Sequence, residues 1–429
     1  MAGEQQQRSA YEGRFDLRGR GAPWSWTLRL LVVLVLAVAA WRAARLGLAD
    51  RARSRNTMSG VVRALELEPG NAEYWWALAR LHRFKGADPT RLLQRAVAAN
   101  PREVRLRIEL AQQYEIVGRL EEARAELEFA AQVNRKFLPR WALMNFHYRH
   151  GPDQQFWKWA RAALETSYGD RWPLFELCWS VQPDPEFLVK SVVSGDPGLQ
   201  LQFARFLLHK GATQAVGQLV RELAQSIRKP DAEVVEELID GLIQAGEAQA
   251  AWAAWSTLCE RQLLPYVCPK GPEGPVNVNP DFHVAPRQRG FDWRASPSVG
   301  VFVRATPNRL KIELDGRQPE HCLLLWQWVF MPRAARYRLV SRYQLRHAPF
   351  GPESEPGLRW RVTRGAEQLG SVGLRLSGEV TLLETFFRSG EECTLARLEL
   401  WYQRPLGSPR FAGELTLLAV EIQPLVNAR

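Results

Sequence analysis

From Trp24 to Trp41 (WSWTLRLLVVLVLAVAAW) the chain is apolar on every side, broken only by the charge of Arg29. From there to about Leu263 the apolar positions recur with helical spacing, in paired short runs separated by Gly or Pro. Beyond Pro280 they recur every second residue. The three patterns predict a lone apolar helix, an array of amphipathic helix pairs, and half-buried antiparallel strands.

The helix-pair pattern is sharpest in LAQQYEIVGRLEEARAELEFAA. There Leu110, Ala111, Tyr114, Gly118, Leu120, Ala123, Leu127 and Ala130 sit at the offsets of a tetratricopeptide repeat. A preceding unit spans about Ala72 to Arg102, and Ala64 to Pro69 reads as the closing helix of a half repeat growing straight out of the apolar helix. Looser pairs follow around Trp141 to Ala163, Phe203 to Val220 and Leu238 to Trp255. Between them Pro173, Pro183, Pro185 and Pro197 predict short irregular helices. Such pairs bury their apolar faces only by stacking, which creates a groove suited to protein partners.

Pro and Gly crowd Leu264 to Pro280, marking a domain boundary. Strands are then expected at Val299–Arg304, Leu310–Leu314, Cys322–Phe330, Tyr337–Leu345, Leu358–Val362, Gly373–Leu376, Leu395–Tyr402 and Glu414–Ile422. This density of strands without helices predicts a two-sheet sandwich, most simply a jelly roll. The expected plan is a tail over 1–23, a transmembrane helix over 24–41, an all-α solenoid over 42–263, a linker over 264–280 and an all-β sandwich over 281–429.

The apolar stretch has spanning length, with Trp24, Trp26 and Trp41 placed as interfacial aromatics. Its flanks also resemble a signal peptide around Ala37-Val38-Ala39, but the preceding polar segment is long and the following WRAARLGLADRARSR continues as helix without a breaker. Arginines on both flanks leave the orientation open. The net charge of +11 is concentrated in the first 60 residues and after Pro280, so the repeats carry no basic stripe and nucleic-acid binding is not expected.

No P-loop, GxGxxG, HExxH or GxSxG occurs, so neither an enzyme nor an organic cofactor is expected. His147 and His150 lie three apart without a third ligand. Cys259 and Cys268 flank a short loop and are either a disulfide or two separate thiols. The groove candidates are Trp76, Arg80 and Arg83 in one repeat and Ile108, Gln112, Glu115 and Ile116 in the next. Trp76 either faces the groove or packs against the membrane-proximal helix. In the sandwich Arg338, Arg342, Arg346, Arg359, Arg361, Arg375 and Arg397, with Trp401, alternate with core positions. If neighbouring strands align them, they form a face for acidic polysaccharide or phospholipid headgroups; otherwise they are a solvated surface.

The apolar anchor, LPRWALMNFHYRHGPDQQFWKWA (Leu138 to Ala160), PLFELCW (Pro173 to Trp179) and NPDFHVAPRQRGFDWR (Asn279 to Arg294) together resemble membrane-anchored tetratricopeptide proteins with a carbohydrate-binding-type jelly roll, from bacterial exopolysaccharide and surface-polymer gene clusters. The resemblance implies an inner-membrane protein with repeats and sandwich outside the cytoplasm, acting as a scaffold in polymer assembly or export. It also implies a structural calcium held by Asp281 and Glu421, although His283 stands where an acidic residue is usual. Phe291 and Trp293 are expected on one face of a strand with Asp292 on the other, and Trp293 in the core.

Overall fold

The computed structural model describes residues 23–193, 195–267, 274–331, 335–348, 356–390 and 394–425. The chain divides into two compact units, Met1–Trp159 and Ala160–Arg429.

The first unit begins with α1 (Pro23–Arg53), a single uninterrupted helix. From Trp26 to Trp41 its apolar side chains are exposed; among the described helices this one is long and apolar enough to cross a membrane. The sequence places the end of the span at Trp41, yet the helix continues because nothing in WRAARLGLADRAR breaks it. Past Trp41 it acts as a repeat helix. Arg42 pairs with Glu68 at 3.3 Å, Ala49 is fully buried, and Asp50 accepts from the Tyr74 hydroxyl at 2.6 Å. Burial and that hydrogen bond push the Tyr74 pKa up to about 12.

The expected repeats follow as α2 (Met58–Leu67), α3 (Ala72–Phe84), α4 (Thr90–Ala99), α5 (Val104–Ile116), α6 (Leu120–Val133) and α7 (Phe137–His150). Thr57 and Asn71 cap α2 and α3 through their side-chain oxygens. Gly118, at φ 78°, turns α5 into α6. Ala111, Ala123 and Ala130 are fully buried between helices, as the repeat pattern requires, whereas Leu120 is 37% exposed at the start of α6.

α8 (Gln154–Thr166) crosses the division. In the second unit the proline-dense stretch forms α9 (Trp172–Val181), the short α10 (Pro185–Leu188) and a π-helical turn, Val189–Val193. Regular pairing resumes with α11 (Pro197–His209), α12 (Thr213–Ala224), α13 (Ala232–Gln244) and α14 (Ala248–Glu260).

Among the described residues ten strands follow in this unit: β1 (Arg294–Ala295), β2 (Val301–Thr306), β3 (Arg309–Asp315), β4 (His321–Met331), β5 (Arg336–His347), β6 (Leu358–Arg364), β7 (Glu367–Gly373), β8 (Ser377–Arg388), β9 (Thr394–Gln403) and β10 (Ala412–Leu425). One antiparallel sheet has the order β1-β4-β9-β6-β7 and the other β2-β3-β10-β5-β8. From β3 onward, consecutive strands alternate between the sheets except at the β6-to-β7 step, which is a hairpin within the first sheet. The resulting order, 4-9-6-7 facing 3-10-5-8, is that of a jelly roll. Trp293, Trp360, Tyr337, Tyr343 and Tyr402 fill the space between the sheets.

The expected linker is in part sandwich. Val276 N–H donates to Ile422 O at 2.8 Å, and Asn277 bonds Val420 O and Ile422 N, each at 2.8 Å. The backbone polar groups of a Pro- and Gly-rich segment are thus satisfied by β10. The expected strand at Gly373–Leu376 is instead the junction of β7 and β8.

Candidate functional site

The outward positions of the first sheet carry an unusual set of side chains. Along β4, Leu324, Val329 and Met331 point into the core while Trp326, Trp328 and Phe330 point out; along β9, Arg397, Glu399 and Trp401 do the same. The register sets Arg397 opposite Trp328 and Glu399 opposite Trp326, and on the other side Arg359 opposite Trp401 and Arg361 opposite Glu399.

Cations and rings then interleave. The Arg397 guanidinium lies 4.4 Å from the Trp326 ring and 5.5 Å from Trp328, Arg294 is 4.8 Å from Trp326, and Arg361 is 5.3 Å from Trp401. His321 stacks on Trp401 at 4.5 Å and 14°. Glu399, 6% exposed, accepts from Trp401 Nε1 at 2.7 Å and lies 3.1 Å from Arg397 Nε. One buried carboxylate thus orients both an indole and a guanidinium. Held this way, the side chains lose little further rotamer freedom on meeting a ligand.

This face is bordered by the last helix pair. Trp252 on α14 stacks on Phe330 at 5.7 Å, and Phe291 packs edge-on to Trp252 and Trp255 at 4.9 and 5.8 Å. Asp240 on α13 accepts from Gly290 N at 2.8 Å and from Arg294 at 2.5 Å. Glu236 lies 2.9 Å from Arg287. Burial raises the pKa of both acids and lowers that of Arg294. At Gly290, φ is 53°, and a Cβ would lie 2.1 Å from the Trp255 ring, so the joint needs glycine there.

Residues 291–293 form a turn at this joint and not a strand, so the expected alternation does not apply. Phe291 packs on α14, while Trp293 is fully buried in the sandwich and donates to Asn279 O at 2.9 Å. Asp292 is also fully buried, accepting from Tyr266 Oη at 2.8 Å and Arg287 N at 2.5 Å; burial still raises its pKa.

The arginines expected on one face are divided between two. Arg359, Arg361 and Arg397 share the outer face of the first sheet with Trp401, but Arg338, Arg342 and Arg346 lie on β5 in the second sheet. Strand alternation alone cannot assign strands to sheets. Arg338 bonds Gln423 at 2.7 Å, and Arg346 bonds Gly378 O. Arg375 is exposed between β7 and β8. The contributions of Trp326, Trp328, His321 and Arg294 escape sequence reading because only the β4–β9 register brings the two indoles beside Arg397 and His321 onto Trp401, and only the β1–β4 pairing brings Arg294 to Trp326.

In the first unit, Trp76, Arg80 and Arg83 do line one groove of about 870 Å³, together with Arg53, Leu81 and Phe84. Arg80 and Arg105 flank the Trp76 ring at 4.9 and 4.5 Å. Trp75 donates to Pro69 O at 2.8 Å. In the next repeat Gln112 and Ile116 are exposed, but Ile108 is buried core and Glu115 is committed to α7, accepting from Arg149 at 2.8 Å and facing His150 Nε2 at 2.7 Å. His147 faces Asp153 at 3.4 Å, with burial lowering its pKa, so the two histidines serve different carboxylates.

Asp281 pairs with its neighbour His283 at 3.0 Å, and Glu421 accepts from Gln423 at 2.6 Å. Among the described residues no group of three or more His, Cys, Asp or Glu is placed to hold a metal ion. Cys259 is buried with Sγ 3.7 Å from Tyr266 O, and Cys268 lies outside the described residues.

Fold and site define an apolar-helix protein with tetratricopeptide-like helix pairs and a jelly roll. No family model and no curated protein matches the chain. Among solved structures it is similar to one titled "CBM4 structure and function" (11% identity, 35% of this chain and 99% of that one, TM-score 0.27). It is also similar to a carbohydrate-binding module from a Cellvibrio mixtus lichenase in complex with cellotriose (12% identity, 31% and 92%, TM-score 0.20). A tetratricopeptide repeat protein from Parabacteroides merdae is similar at 14% identity, over 47% of this chain and 84% of that one, with TM-score 0.27. Strand order and helix pairing define the fold independently of these likenesses.

Proposed function

We propose that this protein is a non-enzymatic, membrane-anchored scaffold whose jelly roll binds an acidic polysaccharide on the outer face of its first sheet while its repeats dock a protein partner. The observation that carries this reading is the interleaving of Trp326, Trp328 and Trp401 with Arg294, Arg361 and Arg397 around Glu399. Indole faces stack on sugar rings, and guanidinium groups fork onto their carboxylates. Arg359, exposed at the Trp401 end, extends the cationic side. The bacterial resemblance supports a place in exopolysaccharide or envelope-polymer assembly or export, with everything past Trp41 on the outer side of the inner membrane.

The test is retention of the detergent-solubilised chain on immobilised polygalacturonate and on neutral dextran. Retention on the first, weakened by salt and by Trp326→Ala, supports the reading; equal behaviour on both matrices contradicts it. A second reading is favoured by the joint: with Trp252 stacked on Phe330 and Asp240 on Arg294, the sandwich serves only to cap the last helix pair. No retention on either matrix at low salt selects that reading.

A further inference from the structure

Some cations along the repeats of the first unit are matched by carboxylates, Arg105 by Glu73, Arg107 by Glu126 and Arg149 by Glu115, while Arg91, Arg95 and Arg102 stand singly without an ion pair among the described residues. The groove at the end of α1 gathers three unpaired cations in one place. Arg53, Arg80 and Arg83 line it with no carboxylate, and among the described residues none of the three has an ion-pair partner. Two N–H donors there, Trp76 Nε1 and Arg53 Nε, are buried without an acceptor. Phe84 stands 91% exposed at the edge. Guanidinium groups can only donate, so what completes a groove lined by three of them and by Phe84 brings acceptors, negative charge and some apolar surface.

We propose that the groove binds an acidic peptide segment of a partner protein, its carboxylates on Arg80 and Arg83, and an aliphatic or aromatic side chain against Trp76 and Phe84. This rests on the reading that the repeats dock a protein, and it specifies the chemistry of that partner. A lipid headgroup offers the same charge, but the groove lies too far out for it. Arg53 is twelve residues beyond Trp41 on one continuous helix, about 18 Å at 1.5 Å per residue. The headgroup layer is only roughly 5–8 Å deep.

The test uses the full chain in phosphatidylcholine nanodiscs and a fluorescein-labelled peptide alternating Glu and Leu around one Phe, with its Gln counterpart as control. The Glu peptide should bind, at least tenfold more tightly than the Gln peptide, and Arg80→Gln with Arg83→Gln should weaken it about tenfold without loss of helical circular dichroism. Equal binding of the Gln peptide, or an unaffected double variant, overturns the proposal. So does flotation with phosphatidylglycerol vesicles that depends on Arg80 and Arg83. A photo-crosslinker at Phe84, used in cells, separates this inference from the docking reading. An adduct on an acidic segment supports both; an adduct on a neutral or basic segment overturns the acidic chemistry alone; no adduct together with no peptide binding sinks both.

Discussion

At the scale of single residues, Trp293 holds the sandwich together from inside, packed on Phe282 and Trp360 at 5.3 and 6.1 Å with its indole N–H satisfied. Truncating a fully buried Trp costs about 3–5 kcal/mol, a large part of the stability of one domain. Trp293→Ala should therefore abolish the β-sheet part of the melting transition while the helical signal of the repeats persists. Unchanged melting would place the ring elsewhere. Ala123 is the corresponding point in the repeats: it is 0% exposed to solvent and lies in the same core cluster as Leu110 and Leu127. Ala123→Leu should lower stability by about 1–3 kcal/mol, read from the helical melt, because the neighbouring helices leave no room for three more carbons.

At the scale of elements, the joint between α13–α14 and the 287–294 segment is built on buried acids. Glu236 is 1% exposed, and although Arg287 lies 2.9 Å away, it is not aimed for a hydrogen bond. Burial raises the folded-state pKa of Glu236 above its unfolded value, so its share of stability is full below the ordinary carboxylate range and is lost as pH rises through the raised value. Glu236→Gln should thus gain on the native chain in melting temperature as pH goes from about 4 to about 7. The opposite trend would mean that attraction to Arg287 outweighs burial.

What the sequence showed at this scale follows from burial. Helix pairs and central strands have one face in a core, so their periods are visible. β1, β7 and β8 are sheet edges, and Gly-rich β7 and the exposed Val380, Leu382 and Phe386 of β8 break the alternation that betrays a central strand. The candidate surface was half legible for the same reason: Arg359, Arg361, Arg397 and Trp401 alternate with core residues, but the assignment of Arg338 and Arg342 to the other sheet depends on pairing across distant strands.

At the scale of the whole molecule, the apolar helix and first repeat helix are one element, so a reporter fused anywhere beyond Trp41 reads the side on which the repeats emerge. A periplasmic reporter fused after Arg429 should be active and a cytoplasmic one silent; the reverse would remove the polymer from reach of the sandwich. The central claim is that one particular sheet face binds acidic glycan. Its most direct measurement is affinity electrophoresis of the full chain through polygalacturonate, comparing Trp401→Ala and Arg397→Gln on the first sheet with Arg342→Ala on the second. Retardation should be about tenfold weaker, roughly 1.4 kcal/mol, for the first two and unchanged for the third. Equal retardation of all three, or loss confined to Arg342→Ala, would contradict it.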